Sequence, residues 1–472
     1  MTADQHRRAT DPAQPPSPVG VSRRAFLGGA AVASAGLAGR LLRADLAAAS
    51  SPRAAAYGAQ VPAAWFDLAL DLVRGTPGFS PPVASRAFGY SGVALYEAIA
   101  PGTRGRRSLA GRLNALTPPP APAHGIFHWP TVANSALASI LRSLFPTAPQ
   151  AAGEAIAALE ERFASSARST LPERTYLRSV ARGRVVSGHV FEWSRADGGH
   201  EGFARNFPPY TPPVGPGLWV PTPPGFLPAL QPFWGTNRPF ALPLHGNSCS
   251  PPAPPAYSEV PGSPFQREAS ECHSIASDLT PEQEAIARFW SDDPGATATP
   301  PGHSLSILTQ VVRLLDIELD RAAEAYAKVA IAVADAFIAC WRTKYEHHLL
   351  RPVTCIRRVI DPGWTPLLVT PPFPEYTSGH SVQSAAAARV LTDLFGDIAF
   401  TDRTHEQRGL PARSFRSFTA AADEAAISRL YGGIHFRSAI ERGLQQGRCV
   451  GRRAGAVLAR HCEHSDFERG DR

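Results

Sequence analysis

Several kinds of pattern are missing from this 472-residue sequence. Alternating β-branched runs bounded by turns, which indicate strands, are nearly absent, and no repeat of fixed period is visible. Basic residues never alternate with aromatic residues in a run, which argues against nucleic-acid binding although the net charge is +7. Only two of the 47 basic residues are lysines, Lys328 and Lys344. The six cysteines include no CxxC pair, which argues against a cysteine-based metal site.

Apolar residues recur at helical spacing over most of the chain, and they make up 44% of it, enough to bury a large core. We therefore predict an all-α protein built from one or two helical bundles that share a core. The predicted helices cover residues 63–73, 85–99, 129–144, 151–164, 176–193, 281–290, 304–350, 378–395 and 437–461. The span 304–350 is expected to consist of two helices that meet near residues 317–320.

The segment 206–265 is dense in proline and cannot be helical throughout. It holds four large aromatic residues, Trp219, Phe226, Phe233 and Trp234. These aromatics favour a long ordered loop packed against the helices over a free linker. We predict one catalytic domain at 57–465, with a first helical half at 57–200 and an active-site half at 281–462 on either side of this connection.

The N-terminus carries a twin-arginine motif, Ser22-Arg23-Arg24-Ala25-Phe26-Leu27, followed by a weakly apolar stretch that ends at Gly39. At about 15 residues, this stretch is shorter than the ~20 residues that a membrane-spanning helix needs. Small-residue cleavage candidates follow between Ala47 and Ala56. We predict that residues 1–50 are an export signal and that the protein has no stable membrane span. We also predict a periplasmic or extracellular location.

An exported chain can form disulfide bonds, although spacing alone does not specify their connectivity. Cys249 and Cys272 lie at either side of the end of the proline-rich segment. A clip between these two cysteines is the pairing we expect.

Lys344 and Arg351 are seven residues apart, nearly two turns of a helix, so both side chains would point to one side. Pro352 follows and tends to end the helix at Arg351. Two cations in a largely apolar stretch repel each other unless an anion lies between them. An exposed amphipathic face would explain these two residues equally well on their own.

A second element, Ser378-Gly379-His380, lies directly before a helical pattern. The hydroxyl of Thr377 or Ser378 can cap that helix, whose first amide groups then face an anion. Gly379 allows close approach of the backbone, and His380 can exchange a proton with a bound group. The triplet alone is weak evidence of a site.

Arg429 and His435 form the third element. Six residues do not place two side chains on one face of a helix, so Gly432-Gly433 is predicted to break the helix between them. Both side chains could then converge, although a lone histidine is more often a packed core residue.

Together the three elements supply three cations, a helix N-terminus with a hydroxyl and two histidines, which suits a tetrahedral or trigonal-bipyramidal oxyanion. Their order and spacing, Lys-x6-Arg-Pro, Ser-Gly-His and Ser-Arg-x5-His, resemble the motifs of the type 2 phosphatidic acid phosphatase and vanadium haloperoxidase superfamily. The looser resemblance covers residues 65–460 and includes the proline-rich segment.

The resemblance implies that vanadate, or phosphate in a phosphatase, is held by Lys344, Arg351, Ser378, Gly379, His380, Arg429 and His435. His380 would be the acid and base of the reaction. His435 would be the ligand of the vanadium, or the nucleophile on phosphorus in a phosphatase. Lys344, a compact point charge in an arginine-rich chain, would touch a small oxygen species.

Two aromatic residues favour a haloperoxidase over a phosphatase. Trp341 and Phe373 match positions that line the halide site in fungal-type vanadium chloroperoxidases. An apolar, weakly hydrated pocket suits halide oxidation, although ordinary core packing would explain both side chains as well.

Two further positions bear on the same choice. The segment that ends in Asp292-Asp293 resembles the one whose aspartate pairs with the third-motif arginine, so this role falls to Asp293, with Asp292 as the neighbouring alternative. Ala439 stands where superfamily members often have an aspartate, which in phosphatases helps orient the nucleophilic histidine. The partner of His435 is therefore unassigned.

We predict a vanadate-dependent haloperoxidase that oxidises halide with hydrogen peroxide to hypohalous acid and halogenates a small organic acceptor. Its catalytic residues would be His380, His435, Lys344 and Asp293. A secreted acid phosphatase that forms a phosphohistidine at His435 is the alternative within the fold, and a non-catalytic oxyanion-binding protein is the alternative of another class. The sequence leaves the halide and the oligomeric state open.

Overall fold

A computed structural model describes residues 52–244 and 249–457, all of which lie in one compact unit. Within these residues the chain forms thirteen α-helices and one two-stranded antiparallel sheet, which confirms the predicted all-α class. The twin-arginine motif and its apolar stretch lie outside the described residues. No helix in the described part of the chain is both long and apolar enough to cross a bilayer.

The helices are α1 (Gln60–Gly75), α2 (Pro81–Ile99), α3 (Trp129–Leu144), α4 (Gln150–Thr170), α5 (Glu173–Arg195), α6 (Pro264–Ser277), α7 (Pro281–Phe289), α8 (Thr299–Leu314), α9 (Leu319–His347), α10 (Pro352–Val359), α11 (Gly379–Phe395), α12 (Phe418–Tyr431) and α13 (Arg437–Val457). The strands are β1 (Phe400–Asp402) and β2 (Arg413–Phe415), with Thr401 opposite Ser414.

Many helices begin at a local start signal. Ser263 caps α6, Ser417 caps α12, and Thr280 forms a capping box with Gln283 at α7. Each predicted helix overlaps an observed one, and the predicted break inside 304–350 is the gap between α8 and α9. Three helices, α6, α10 and α12, were not predicted from the sequence. Helix α10 is only eight residues long, and α12 has no clear apolar stripe.

Helix α9 is the centre of the core. It is buried along nearly its whole length and packs against α2, α11 and α13. Helices α11 and α13 lie so close that a Cβ on Gly447 would be 2.1 Å from the Val382 carbonyl oxygen. This packing brings the C-terminal end of α9 and the N-terminal end of α11 together, and the predicted site lies where they meet.

The proline-rich segment is ordered, but only two of its four predicted anchors are buried. Trp219 and Trp234 are 1% and 3% exposed, whereas Phe226 and Phe233 are 62% and 52% exposed. The segment is also held by its backbone, since the Leu230 amide donates to the Pro372 carbonyl at 2.8 Å. The segment is therefore ordered, as predicted, with the two tryptophans buried and the two phenylalanines exposed.

The expected Cys249–Cys272 clip was also wrong. Cys249 is bonded to Cys449 on α13, 200 residues away in sequence. Cys272 is a free thiol on α6, fully buried in an apolar cluster with Phe265 and Phe436. Proximity in sequence misled the prediction, because the side chain of Cys272 points into that core.

Candidate active site

Lys344 and Arg351 converge, but not by sharing a helix face. Helix α9 ends at His347, and His348 takes a left-handed conformation with a φ of 48°, so Arg351 lies beyond the helix and caps α10. The Lys344 ammonium donates to the carbonyls of Pro374 and Glu375 at 2.9 and 3.0 Å. The seven-residue spacing predicted a helical arrangement, whereas a turn and the loop before α11 bring the two cations together.

Arg351 is fully buried and reaches the loops on two sides. Its Nε donates to the Phe373 carbonyl at 2.7 Å, and its Nη1 donates to the Ile434 carbonyl at 2.9 Å. Its Nη2 is a buried donor without a partner in the described part of the chain. A buried guanidinium with a free N–H can donate to an anion at this point.

The N-terminus of α11 has the predicted geometry. The Ser378 hydroxyl caps the helix and accepts from the Ser381 amide at 3.4 Å. A Cβ on Gly379 would meet only Trp341, at 3.8 Å, so the space above the first amide groups is open. The Nε2 of His380 is buried and has no partner among the described residues. This end of the helix therefore offers amide donors and an imidazole to a group in the cavity.

The third motif turns sharply between its two functional residues. Helix α12 ends at Tyr431, and Gly433 has a φ of 72°, a conformation that glycine adopts without strain. Arg429 is held from behind, because its Nη2 donates to the Trp290 carbonyl at 2.8 Å and its Nε to the Ser428 hydroxyl at 3.0 Å. The glycine pair thus ends the helix between Arg429 and His435, as the sequence predicted, and both residues line one cavity.

His435 has a partner that the sequence analysis missed. Its Nδ1 lies 2.9 Å from Glu375 Oε1, which also accepts from the Phe436 amide at 2.8 Å. Its Nε2 lies 3.2 Å from Arg351 Nη1, and a guanidinium can only donate. The proton of the neutral ring is therefore on Nδ1, and Nε2 carries a lone pair, the form of a ligand nitrogen. The only signal in the sequence was that Glu375 is the one charged residue between Asp361 and Ser378.

Three basic side chains, Lys344, Arg351 and Arg429, are buried in this site, and the carboxylates near them do not outnumber them. Desolvation lowers the pKa of Lys344 to about 7, and it lowers the pKa of Arg351 and of Arg429 to about 10. It also lowers the pKa of His435 well below its usual range, and the positive charge of Arg351 acts in the same direction. A bound oxyanion would relieve this repulsion.

The same burial shifts the pKa of Glu375 in the opposite direction from the pKa values of the basic groups. Desolvation raises the pKa of its carboxyl to about 8, although Arg351 and Lys344 act to lower it. Its Oε2 has no partner within the described residues. The carboxyl thus holds the His435 ring through Oε1 alone.

A cavity of about 340 Å³ opens above these residues. Its lining includes Gly379, His380, Arg429 and His435, together with Trp341 and Phe373. The rings of Trp341 and Phe373 are 4.9 Å apart, and the Lys344 ammonium lies 5.0 Å from the centre of the Phe373 ring. The two residues assigned to a halide pocket therefore form an apolar wall beside the cationic cluster.

Asp293 lines the same cavity, but its predicted ion pair with Arg429 is not formed within the described residues. Arg429 donates to backbone carbonyls at the end of α7 instead, because those carbonyls have no partner inside the helix. Burial raises the pKa of Asp293, although the charge of Arg429 acts to lower it. The two groups interact through space rather than by direct contact.

Asp292, the neighbouring alternative, belongs to a second buried cluster. It contacts His303 at 2.8 Å and His405 at 3.1 Å, and the other ring nitrogen of His303 lies 2.7 Å from Asp402. Trp290 stacks on the His303 ring, with centroids 4.4 Å apart. This cluster supports the Trp290 carbonyl that holds Arg429, and nothing in the sequence pattern indicated it.

Comparisons with a family model and with solved structures agree with this geometry. A family model described as the VCPO second helical-bundle domain matches residues 324–464. A structure described as the first bacterial vanadium-dependent iodoperoxidase is 38% identical, covers 85% of this chain and 97% of its own, and has a TM-score of 0.77.

Two structures of a bacterial vanadium-dependent chloroperoxidase, in its holo and apo forms, are each 17% identical. They cover 82% and 80% of this chain and 93% and 94% of their own, with TM-scores of 0.61 and 0.60, and they share the fold. No curated protein matches the chain. The extent and identity of the iodoperoxidase match show that this chain belongs to the vanadium-dependent haloperoxidase family.

Proposed function

We propose that this protein oxidises halide with hydrogen peroxide to hypohalous acid, with vanadate as its cofactor. One observation carries the proposal: the charges of Lys344, Arg351 and Arg429, all buried, act together on the neutral ring of His435, whose Nε2 bears a lone pair. Cations that burial destabilises to this extent need an anion close by. The same set of donors and one ligand nitrogen fits a vanadate ion.

The residues that would hold vanadate can be named from their free donors. His435 would supply the ligand through Nε2, and Arg351 would donate through its unpartnered Nη2. The Ser378 hydroxyl and the Gly379 amide, at the N-terminus of α11, would donate from another side. Vanadate held by these residues would supply Lewis acidity for the oxidation of halide by peroxide.

His380 is placed to move protons in this reaction. Burial lowers the pKa of its ring well below the usual range, and the charge of Arg429 adds to this effect. The neutral ring presents its unpartnered Nε2 beside the cavity and can accept a proton from hydrogen peroxide. Trp341 and Phe373 give the cavity an apolar wall, behind which Lys344 is buried, and a weakly hydrated halide would fit against this wall.

Iodide is the first halide to examine. The relative at 38% identity is described as an iodoperoxidase, and iodide is the halide whose hydration is weakest among those tested below. An apolar wall beside buried cations favours such an ion over a strongly hydrated one.

The proposal includes export by the twin-arginine route to a periplasmic or extracellular location. The motif at Arg23 and Arg24 is one support. The Cys249–Cys449 disulfide is another, because disulfides persist in oxidising compartments. Fractionation of cells that express the full chain, with and without an Arg23→Lys, Arg24→Lys double substitution, tests this part.

The reaction itself is tested by loading the protein with orthovanadate and measuring oxidation of iodide, bromide and chloride at a fixed peroxide concentration. We expect vanadate-dependent formation of triiodide, and metal-free protein is the control. The absence of oxidation with all three halides, together with rapid hydrolysis of p-nitrophenyl phosphate by metal-free protein, would identify an acid phosphatase that works through His435. Tight vanadate binding without either activity would identify an oxyanion-binding protein.

A further inference from the structure

A buried glutamine lies behind the oxyanion site, where three parts of the chain meet. Gln446 is on α13 and is 3% exposed. Its amide oxygen accepts from the Thr377 hydroxyl at 2.6 Å. Its amide nitrogen donates to the Thr343 hydroxyl at 3.0 Å and to the Ala339 carbonyl at 3.3 Å, and both of these residues are on α9. One side chain thus joins α13, α9 and the loop before α11.

The two threonines that contact this glutamine are each next to a residue of the oxyanion site. Thr343 directly precedes Lys344, and Thr377 directly precedes Ser378. Both threonines are buried, at 2% and 0% exposure, and neither they nor Gln446 line the cavity. The glutamine therefore connects the first motif to the second from behind, without contact to a bound ion.

Helix α13 is held against the N-terminus of α11 by backbone contacts as well. The Ser378 amide donates to the Ala439 carbonyl at 3.1 Å. A Cβ on Gly443 would lie 2.7 Å from the Ser381 Cβ, so the two helices approach as closely as only glycine allows. Gln446 is thus on a helix whose distance from α11 is already fixed, and its amide extends that fixed geometry to α9.

A glutamine is a costly choice for this position if its only task is to fill space. An amide that leaves water costs free energy unless its donors and its acceptor find partners, and a leucine carries no such cost. The amide of Gln446 uses both its nitrogen and its oxygen. A buried polar network with all its groups paired fixes one arrangement of the elements it joins. Such fixing matters beside a reactive site, where a displacement of about 1 Å can cost about 10²-fold in rate.

We propose that Gln446 is a positioning residue of the oxyanion site, which sets the place of the α11 N-terminus relative to Lys344. The inference rests on the proposed function, since the ion in the site is taken to be vanadate. With the amide in place, the Ser378 hydroxyl and the Gly379 amide stay in register with the cation on α9. Without it, the helix end moves relative to α9, and the two sets of donors no longer meet the same ion.

The first test measures vanadate binding, without turnover, by equilibrium dialysis of the wild type and of Gln446→Leu. We expect the Kd to rise about tenfold or more, as for loss of a group that orients the donors of a metal site. Chemical denaturation of the same samples shows whether the variant is folded.

Gln383→Leu is the matched control. Gln383 is a second buried glutamine, 1% exposed, on α11 itself. Its amide oxygen accepts from the Ser304 hydroxyl on α8 at 2.9 Å, and its nitrogen donates to the Ser384 hydroxyl at 2.6 Å. Its loss should lower the free energy of unfolding too, but the vanadate Kd should change by less than about twofold.

A second pair of variants tests the same hydrogen bond from its other end. Thr377→Val removes the hydroxyl that donates to Gln446 and nearly keeps the shape of the side chain, whereas Thr377→Ser keeps the hydroxyl. We expect the valine variant to weaken vanadate binding and the serine variant to restore most of the affinity. In the double variant Gln446→Leu, Thr377→Val the two effects should not multiply, because both changes remove one shared bond.

Four results would overturn the inference. They are an unchanged Kd in folded Gln446→Leu, an equal rise in Gln383→Leu, equal affinities of Thr377→Ser and Thr377→Val, and effects that multiply in the double variant. If Gln446→Leu does not fold, the two Thr377 variants decide by themselves. Failure of the proposed function is distinguishable, because the wild type would then oxidise no halide while these differences in vanadate affinity persist.

Discussion

His435 and His303 are both buried beside carboxyl groups, and their surroundings drive them to opposite charge states. His435 lies 2.9 Å from Glu375, and His303 lies within 2.8 Å of Asp292 and of Asp402. Each histidine is 2% exposed. Burial and then Arg351 lower the pKa of His435, whereas the two carboxylates outweigh burial and raise the pKa of His303 to about 10.

The difference shows that burial alone does not decide the charge of a histidine. His303 has a carboxylate on each ring nitrogen, so both nitrogens donate and the ring is an imidazolium. His435 has one carboxyl partner and three cations near it, so its ring stays neutral. The first arrangement builds a rigid support under Trp290 and Arg429, and the second leaves a nitrogen lone pair for a ligand.

The largest effect is expected from His435→Ala, which removes that lone pair. Vanadate-dependent halide oxidation should fall on the order of 10³-fold or more, because the histidine acts as a unit with the cations around it. Steady-state triiodide formation at saturating vanadate measures the loss. His273→Ala, at a partly exposed histidine that faces Asp361, is the matched control. Turnover close to wild type in the His435 variant would contradict the ligand role.

His303→Gln tests the other half of the comparison. It leaves Asp292 and Asp402 buried without a cation between them, and the free energy of unfolding should fall by about 3–5 kcal/mol. Chemical denaturation measures the change. The double variant His303→Gln, Asp402→Asn should recover part of it, since it removes one unpaired charge. A loss well under 1 kcal/mol would mean that the imidazolium is not needed.

Glu375→Ala should weaken vanadate binding by about 10- to 100-fold, as expected for loss of the partner that orients a metal-binding histidine. Glu375→Gln keeps an oxygen for His435 Nδ1 and for the Phe436 amide and should restore part of the affinity. Equilibrium dialysis against vanadate measures both Kd values. Equal affinity in wild type and both variants would show that Glu375 does not position the ring.

The dependence of stability on pH tests the charge of His303 in small steps, one pH unit at a time. The pKa of His303 is raised from 6.5 to about 10 in the folded protein, so its contribution is complete below about pH 6.5 and is lost as the pH rises through 10. The difference in unfolding free energy between wild type and His303→Gln should narrow over this window, by at most about 1.4 kcal/mol per pH unit. A difference that stays constant from pH 6 to 9.5 would show that His303 is neutral.

The sequence was most informative where the signal is local. Helix periods, caps and the glycine break at Gly433 depend on neighbouring residues. Each of the three motifs is likewise defined by residues only a few positions apart. The resemblance then added the order of the motifs. The structure brings Gly379, His380, Arg429 and His435 to one cavity, with Lys344 and Arg351 buried near His435.

The errors came from pairings between residues that are distant in sequence. Cys249 was expected to bond to Cys272, which is close in the chain, whereas its partner is Cys449. Asp293 was expected to pair with Arg429, whereas a φ of 49° at Asp292 marks a turn in the chain just before Asp293. Glu375 was overlooked because its contact with His435 spans 60 residues.

What the sequence by itself determined was therefore the class of fold, the three motifs and the kind of ion that they suit. These follow from short-range spacing and from the charge and hydrogen-bonding capacity of each side chain. The tertiary structure alone decided which carboxyl orients His435, that His303 is charged, and that the apolar wall of the cavity is formed by residues 222–230 and 368–373. The physical reason is that a pKa and a cavity depend on every group packed around them, and helix packing assembles those groups from distant parts of the chain.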